Sequence, residues 1–171
     1  MESAWQPGSL ARRFFFVNDS SDHRYRPNVA AVVLNAAGQI LLGERMRWRD
    51  SWQFPQGGLD GDESPEEGLR RELREEISLE PADYVVEARC GPYRYLFPAG
   101  WTKKGYDGQE QHYFRLRLLA SESKVNVHTA HPEFRAARWI DPAKYSLAWL
   151  PEMKHAVYRE VFREFFGLEI A

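Results

Sequence analysis

Three glutamates in the middle of the chain have the residue type and spacing of a metal site. Glu72 directly follows Arg71, and Glu75 and Glu76 come three and four residues after Glu72. On a helix, where each residue turns by about 100°, these spacings place the carboxylates in one stripe beside the apolar stripe. Like charges at such spacings repel each other, and at the edge of a core they are only partly hydrated. A divalent cation would relieve this conflict, and carboxylates with no His or Cys nearby favour Mg²⁺ or Mn²⁺ over zinc.

The same pattern also has a purely structural explanation. Arg70, Arg71 and Arg74 occupy the remaining arc of the helix and are available as partners for the glutamates. Acidic clusters on helices are commonly solvated faces with salt bridges. Spacing alone therefore leaves two interpretations open, a metal site and a charged surface.

The element that must carry the glutamates is a helix over 64–77. Ser64 and Glu67 have the spacing of a capping box, and Pro65 stands at the first helical position. The sequence therefore predicts that the helix begins at Ser64.

The other expected elements are mostly strands. Two aliphatic runs within 28–45 flank a turn in which Gly38 can adopt a positive φ, which predicts a hairpin. Further strands are predicted over 51–54, 83–98, 111–120 and 136–140, and a second helix over about 150–166. Mixed strands with two helices indicate an α+β layered domain. We expect residues 1–24 to form an N-terminal extension and residues 25–171 to form the single domain.

Composition limits the kinds of partner. The chain has 171 residues and a net charge of −2, so no overall basic field would hold duplex nucleic acid by phosphate neutralisation. No run approaches the roughly 20 apolar residues of a membrane span. The single Cys90 cannot form an internal disulfide, so we expect a reducing cytoplasm. The oligomeric state is left open.

A longer pattern around the glutamates decides between the two interpretations. It begins with Gly57, and Glu63 follows after five intervening residues. Arg71-Glu72-Leu73 follows after seven more, and Glu75-Glu76 after one more. The pattern ends with one residue, Ser78 and the apolar Leu79. This pattern resembles the Nudix box of the Nudix hydrolases. The one departure is Ser78, where the family has a glycine with positive φ at the helix end. Serine there would cost about 1 kcal/mol of backbone strain, but the position carries no catalytic atom.

The resemblance implies a fold and a chemistry. The fold is an α/β/α sandwich with a mixed sheet, and the reaction is hydrolysis of a nucleoside diphosphate linked to another moiety. The metal ligands would be Glu72, Glu75, Glu76 and the backbone carbonyl of Gly57, with Arg71 orienting the carboxylates and pairing with Glu63. Bound Mg²⁺ or Mn²⁺ ions would activate a water for attack on phosphorus, and a carboxylate would take its proton.

Short motifs outside the box resemble those of the bacterial RNA pyrophosphohydrolases, which are also dinucleoside polyphosphate hydrolases. They are YRPNV over 25–29, SWQFPQGG over 51–58, and HPEF followed by RW over 131–139. In that branch Glu133 would be a further metal ligand or general base. The residues that would contact substrate are Arg26, Arg45 and Lys154. Tyr95 is a candidate for stacking on a base, and Lys103 and Lys104 are candidates for steering phosphates.

The expected activity is metal-dependent hydrolysis of a pyrophosphate bond in dinucleoside polyphosphates or at the 5′-triphosphate end of RNA. Met153 stands where this branch carries an aromatic residue that stacks on a base, so we expect diadenosine tetraphosphate to be cleaved at least as efficiently as triphosphorylated RNA. Two alternatives stay open. One is a Nudix hydrolase of nucleoside diphosphate sugars or nucleoside triphosphates, and the other is a nucleotide sensor without turnover.

Overall fold

The computed structural model describes residues 22–171, so most of the expected N-terminal extension lies outside the described residues. The strands are β1 Tyr25–Leu34, β2 Ile40–Arg45, β3 Trp52–Gln53, β4 Gln56–Gly58, β5 Tyr84–Leu96, β6 Gly108–Leu118 and β7 Phe134–Ile140. The α-helices are α1 Pro65–Ile77 and α2 His155–Phe166. Within 22–171, no helix has the length and apolarity needed to cross a bilayer.

The strands form one mixed sheet in the order β3-β2-β1-β6-β5. β1 and β6 run parallel over ten residue pairs, and the other pairings are antiparallel. β4 pairs with the middle of β1, and β7 pairs with β2. The mixed sheet predicted from the sequence is therefore confirmed.

Alternate residues of β1 face two different helical layers. Val29, Ala31 and Val33 pack in one core cluster with α1, whereas Ala30 and Val32 pack in the other with α2. Since side chains of a strand alternate between the two faces of a sheet, the sheet lies between the two helices. This arrangement is the expected α/β/α sandwich.

α1 ends at the predicted Ile77 and begins at Pro65, with the predicted first residue, Ser64, as its N-cap. The Ser64 hydroxyl accepts a hydrogen bond from the Glu67 N–H, and the Glu67 carboxylate accepts one from the Ser64 N–H, which completes the capping box. After Ile77 the chain turns at Ser78, whose φ of 63° is left-handed. The Ser78 hydroxyl donates to the Asn126 carbonyl at 3.0 Å, and this bond offsets part of the strain.

α2 begins five residues later than the expected 150. Leu150 is extended because the ring of the following Pro151 disfavours the helical region for the residue before it. Two short 3₁₀ turns, Leu147–Trp149 and Glu152–Lys154, bring the chain to His155, where the α-helix starts. Lys154 thus lies at the helix N-cap and not on a solvated helical face.

Candidate active site

The glutamates of α1 stand at the edge of its buried face. Glu72 and Glu76 are 9% and 2% exposed, whereas Glu75 is largely exposed. Burial is the largest cause that raises the pKa of both buried carboxyls, and for Glu76 the charges of Glu72 and Glu133 raise it further. Partly hydrated, mutually repelling carboxylates are what the spacing predicted.

Arg71 holds the glutamates in place. Its guanidinium donates two bonds to Glu63, at 2.7 and 2.9 Å, one to Glu72 at 2.7 Å and one to the Gly58 carbonyl at 2.9 Å. A longer bond of 3.3 Å reaches Glu75. A guanidinium shared among several carboxylates fixes their orientation, because its N–H groups form a rigid fork.

The glycines of β4 allow close approach to the helix. A Cβ on Gly57 would overlap the Glu72 carboxylate, and a Cβ on Gly58 would overlap the Arg26 guanidinium. Only a residue without a side chain lets the backbone reach both groups. The Gly57 backbone therefore lies against Glu72, and Arg26 lies on the neighbouring Gly58.

A cleft of about 500 Å³ runs beside α1. Its lining includes Glu72, Glu75, Glu76 and Glu133. Glu76 Oε2 accepts from the Gln56 N–H at 2.8 Å, but the buried Oε1 has no hydrogen-bond partner. A buried carboxylate oxygen without a partner is costly, so Oε1 is available to a ligand that brings positive charge.

Three cations lie near this carboxylate group, namely Arg45 of β2, Lys103 of the loop between β5 and β6, and Lys154 at the start of α2. Arg45 ends β2, and its charge interacts favourably with both Glu133 and Glu76. Lys154 is 4% exposed, and its Nζ donates to Gln53 Oε1 at 3.2 Å. Burial, followed by repulsion from Arg45 and Lys103, lowers the pKa of Lys154 to about 7. The repulsion from Arg45 and Lys103 shows that Lys154 lies close to two other residues that are predicted to contact substrate phosphates.

Neither Tyr95 nor Met153, the two positions linked above to base stacking, lines the carboxylate cleft. Tyr95 is buried, its hydroxyl donates to Gln109, and its ring centroid is 5.9 Å from Lys154 Nζ. Met153 lines a separate cleft of about 440 Å³ with Phe97 and Pro151. The role of Tyr95 as a substrate contact stays a prediction.

Several residues of the site were not singled out from the sequence. Gln111 donates to Asn28 at 2.7 Å and to Gln56 at 2.8 Å, and this buried network fixes the segment that donates to Glu76. Thr129 lines the carboxylate cleft together with His131, the first residue of the HPEF motif. No local pattern marks Gln111 or Thr129, since strand pairing and loop packing bring them to the site.

Comparison with known families identifies this arrangement. The family model described as "NUDIX domain" matches residues 24–165. The chain belongs to the Nudix family. The activity of this Nudix enzyme is hydrolysis of a pyrophosphate bond, and the family generally uses a divalent metal ion.

The curated relatives of this Nudix hydrolase cover most of its length. An RNA pyrophosphohydrolase of Hahella chejuensis is 43% identical over 149 residues, 82% of this chain and 90% of the relative. An RNA pyrophosphohydrolase of Pseudomonas putida is 40% identical over 146 residues, 82% and 91% of the two chains. The resemblance to that branch, based on short motifs, is thereby confirmed.

Solved structures with low sequence identity share the fold. A MutT protein from Methanosarcina mazei Go1 has a TM-score of 0.61 at 24% identity and covers 85% of this chain and 98% of its own. An Ap4A hydrolase of C. elegans has a TM-score of 0.59 at 16% identity, with coverage of 82% and 96%. At these identities the likeness concerns the fold.

The donor set of this Nudix hydrolase fits a divalent cation. The buried Oε1 of Glu76 lacks a partner, and the cleft beside it also contains the carboxylates of Glu72, Glu75 and Glu133, whose oxygens hard cations prefer. Within residues 22–171 no three acidic, His or Cys side chains yet converge on one point. Arg71 draws Glu72 and Glu75 toward itself, so ion binding would require these carboxylates to turn.

Proposed function

We propose that this Nudix hydrolase cleaves the polyphosphate of a nucleotide ligand, at the 5′-triphosphate end of RNA or in a dinucleoside polyphosphate. The relatives at 40–43% identity are RNA pyrophosphohydrolases, which favours the RNA end. The C. elegans Ap4A hydrolase, at 16% identity, supports only the shared fold. We therefore propose RNA as the preferred substrate class. The opposite expectation, which rests on Met153 in place of an aromatic residue, is tested by comparing kcat/KM for the two substrates.

Mg²⁺ or Mn²⁺ is the ion that we propose for the site. The ligands would be Glu72, Glu75, Glu76, Glu133 and the Gly57 carbonyl. When bound, the ion supplies charge neutralisation of the polyphosphate and lowers the pKa of water. The unpartnered Glu76 oxygen is the observation that carries this proposal, because a buried carboxylate with a raised pKa is stabilised by a cation.

Side chains of this protein bind the phosphates, orient the carboxylates and accept the proton of the attacking water. Arg26, Arg45 and Lys154 bind phosphate oxygens, the arginines through their forked N–H groups. Arg71 stays beside Glu72 and Glu75 through its bonds to Glu63 and the Gly58 carbonyl, and so orients the two carboxylates as they turn toward the ion. Glu133, on the loop before β7, takes the proton of the attacking water, with Glu76 beside it. Lys154, with its lowered pKa, gains a proton more readily when an anionic polyphosphate enters.

A turnover panel tests the substrate class. Triphosphorylated RNA, diadenosine tetraphosphate, a nucleoside diphosphate sugar and a nucleoside triphosphate are compared at equal concentration with Mg²⁺ and with Mn²⁺. We expect kcat/KM to be highest for one of the first two substrates, with pyrophosphate or phosphate released from RNA. A higher kcat/KM for the sugar nucleotide or the free triphosphate would contradict the proposal, and no turnover of any substrate would favour a sensor.

The unpaired Cys90 suits the reducing cytoplasm in which we place this enzyme.

A further inference from the structure

The loop between β2 and β3 alternates cations with large apolar side chains. The run is Arg45-Met46-Arg47-Trp48-Arg49, which we call the RMRWR loop. Met46 is 43% exposed and Trp48 is 47% exposed. Met46 and Trp48 stand on either side of Arg47, so this loop presents apolar surface and positive charge together.

Hydrogen bonds hold this exposed loop in one shape. Two hydrogen bonds join the ends of the loop. The Arg45 N–H donates to the Ser51 carbonyl at 3.0 Å, and the Asp50 N–H donates to Glu44 Oε1 at 2.9 Å. The Arg135 guanidinium donates to the Met46 carbonyl and, at 3.4 Å, to the Arg45 carbonyl. A loop fixed in this way loses little conformational entropy when a ligand binds.

The RMRWR loop is joined directly to the catalytic residues. The Met46 N–H donates to the Glu133 carbonyl at 2.9 Å. The Arg45 guanidinium lies 4.0 Å from the centroid of the Trp48 ring. The predicted phosphate contact and the exposed indole are thus adjacent, so a chain that starts at the phosphate site can continue over the loop.

The charges of the loop are available to a ligand. Arg47 and Arg49 are exposed, and neither makes an ion pair or hydrogen bond within residues 22–171. The chain as a whole carries a net charge of −2, so this local group of arginines is distinct from the overall charge. Arginines that have no partner among the described residues, beside an exposed aromatic ring, suit the backbone and bases of a single-stranded nucleic acid.

We propose that the RMRWR loop is a docking surface for the unpaired nucleotides that follow the 5′ end of an RNA substrate. A base stacks on Trp48, and Arg47 and Arg49 contact the backbone phosphates. The inference rests on the proposed function, because it extends the RNA from the polyphosphate site. A duplex 5′ end keeps its base faces stacked within the helix and cannot use the indole in this way.

Equilibrium binding of 5′-monophosphorylated RNA tests the surface without turnover. With Mg²⁺ present, fluorescence anisotropy gives the dissociation constants of oligonucleotides of two and five nucleotides. The dissociation constant of a nucleoside monophosphate is measured by its competition with a bound oligonucleotide. We expect the unaltered protein to bind the single-stranded pentanucleotide at least about tenfold more tightly than the monophosphate. Trp48→Ala should remove most of that gain, and Trp48→Phe should restore part of it. Trp101→Ala is the matched control, since Trp101 is 64% exposed but lies outside the loop, and it should keep the gain.

Salt dependence separates the arginines from the indole. The double variant Arg47→Ala, Arg49→Ala should lower the slope of log Kd against log salt by about 1.4, since each phosphate contact on a single strand contributes about 0.7. An unchanged slope, no gain with RNA length, or equal losses in Trp48→Ala and Trp101→Ala would overturn the docking surface. A pentanucleotide placed in a blunt duplex and bound as tightly as the single strand would overturn it as well. Failure of the proposed function looks different, because the unaltered protein would then release no pyrophosphate or phosphate from triphosphorylated RNA.

Discussion

Glu76 is the residue where burial and charge conflict most strongly. Its carboxyl is 2% exposed, faces Glu72 and Glu133, and has a pKa well above its usual value. Below the ordinary pKa the carboxyl is neutral in the folded and the unfolded chain, so the conflict disappears. As the pH rises from the ordinary pKa toward the raised pKa, the unfolded chain loses this proton while the folded protein keeps it, so the metal-free protein loses stability, and above the raised pKa the loss is complete.

We therefore expect Glu76→Gln to stabilise the metal-free protein. The gain should be about 1–2 kcal/mol, roughly 2–8 °C in melting temperature, and larger at pH 8 than at pH 5. Melting curves in EDTA at both pH values measure it. Glu66→Gln serves as the control, because Glu66 is exposed on the same helix and its ion-pair partner within residues 22–171 is the exposed Arg89. A lower melting temperature for Glu76→Gln at pH 8 would show that the carboxylate is not strained.

Lys154 presents the opposite conflict, a buried cation next to other cations. Its pKa is lowered from 10.5 to about 7, so its charge destabilises the fold most at or below pH 7, and the penalty fades as the pH rises toward 10.5. We expect Lys154→Met to raise the melting temperature at pH 6.5 more than at pH 9.5, while KM for the polyphosphate substrate increases. Thermal melts at both pH values and steady-state kinetics test this pair of effects. A raised melting temperature with an unchanged KM would remove Lys154 from the substrate contacts.

Glu133 differs from the helical glutamates because it comes from a loop. Its backbone is held by the Met46 N–H, but among the described residues no side chain fixes it as Arg71 fixes Glu72. We expect Glu133→Gln to lower kcat about 100-fold, as for a lost general base, with a smaller loss of Mn²⁺ affinity than Glu76→Gln. Calorimetric titration with Mn²⁺ and kinetics at saturating metal give the two quantities. An unchanged kcat would leave Glu133 with a structural role only.

At the scale of elements, α1 was predictable because its signals are local. The capping box of Ser64 and Glu67 needs only four consecutive residues, and the apolar stripe that follows fixes the buried face. α2 was predicted to start too early, because the apolar spacing continues through Leu150 while Pro151 prevents helix there. A periodic pattern identifies a helix better than it identifies the first residue.

The end of α1 links the helix to the loop that carries Glu133. The left-handed Ser78 replaces the glycine of the Nudix pattern, but its hydroxyl binds the Asn126 carbonyl. We expect Ser78→Ala to destabilise the protein by about 0.5–1.5 kcal/mol, since it loses the bond and keeps the strain. Ser78→Gly should lie within about 0.5 kcal/mol of the unaltered protein, because relief of the strain offsets the lost bond. Urea unfolding of both variants decides this, and equal losses would mean that the left-handed turn carries no strain.

At the scale of the whole molecule, the sheet brings the parts of the site together from distant segments. β1 supplies Arg26, β2 supplies Arg45, β4 reaches α1 through Gly57, and the start of α2 supplies Lys154. The residue types of the site were readable from motifs, but their convergence depends on pairings such as the parallel β1–β6 contact. Such pairings join residues about 80 positions apart, and no local pattern encodes them. The burial of Lys154 and the exposure of Trp48 follow from this packing and were not predicted.

The most direct test of the whole account is the turnover of Glu76→Gln on triphosphorylated RNA at saturating Mg²⁺. Release of pyrophosphate or phosphate is measured beside the unaltered protein and Glu66→Gln, with circular dichroism to show that each variant is folded. The account predicts that Glu76→Gln loses turnover about 100-fold or more, a difference of about 2.7 kcal/mol in transition-state stabilisation, while Glu66→Gln keeps it. Turnover by a folded Glu76→Gln at the rate of the unaltered protein would contradict the assignment of the buried carboxylates of α1 as the metal site.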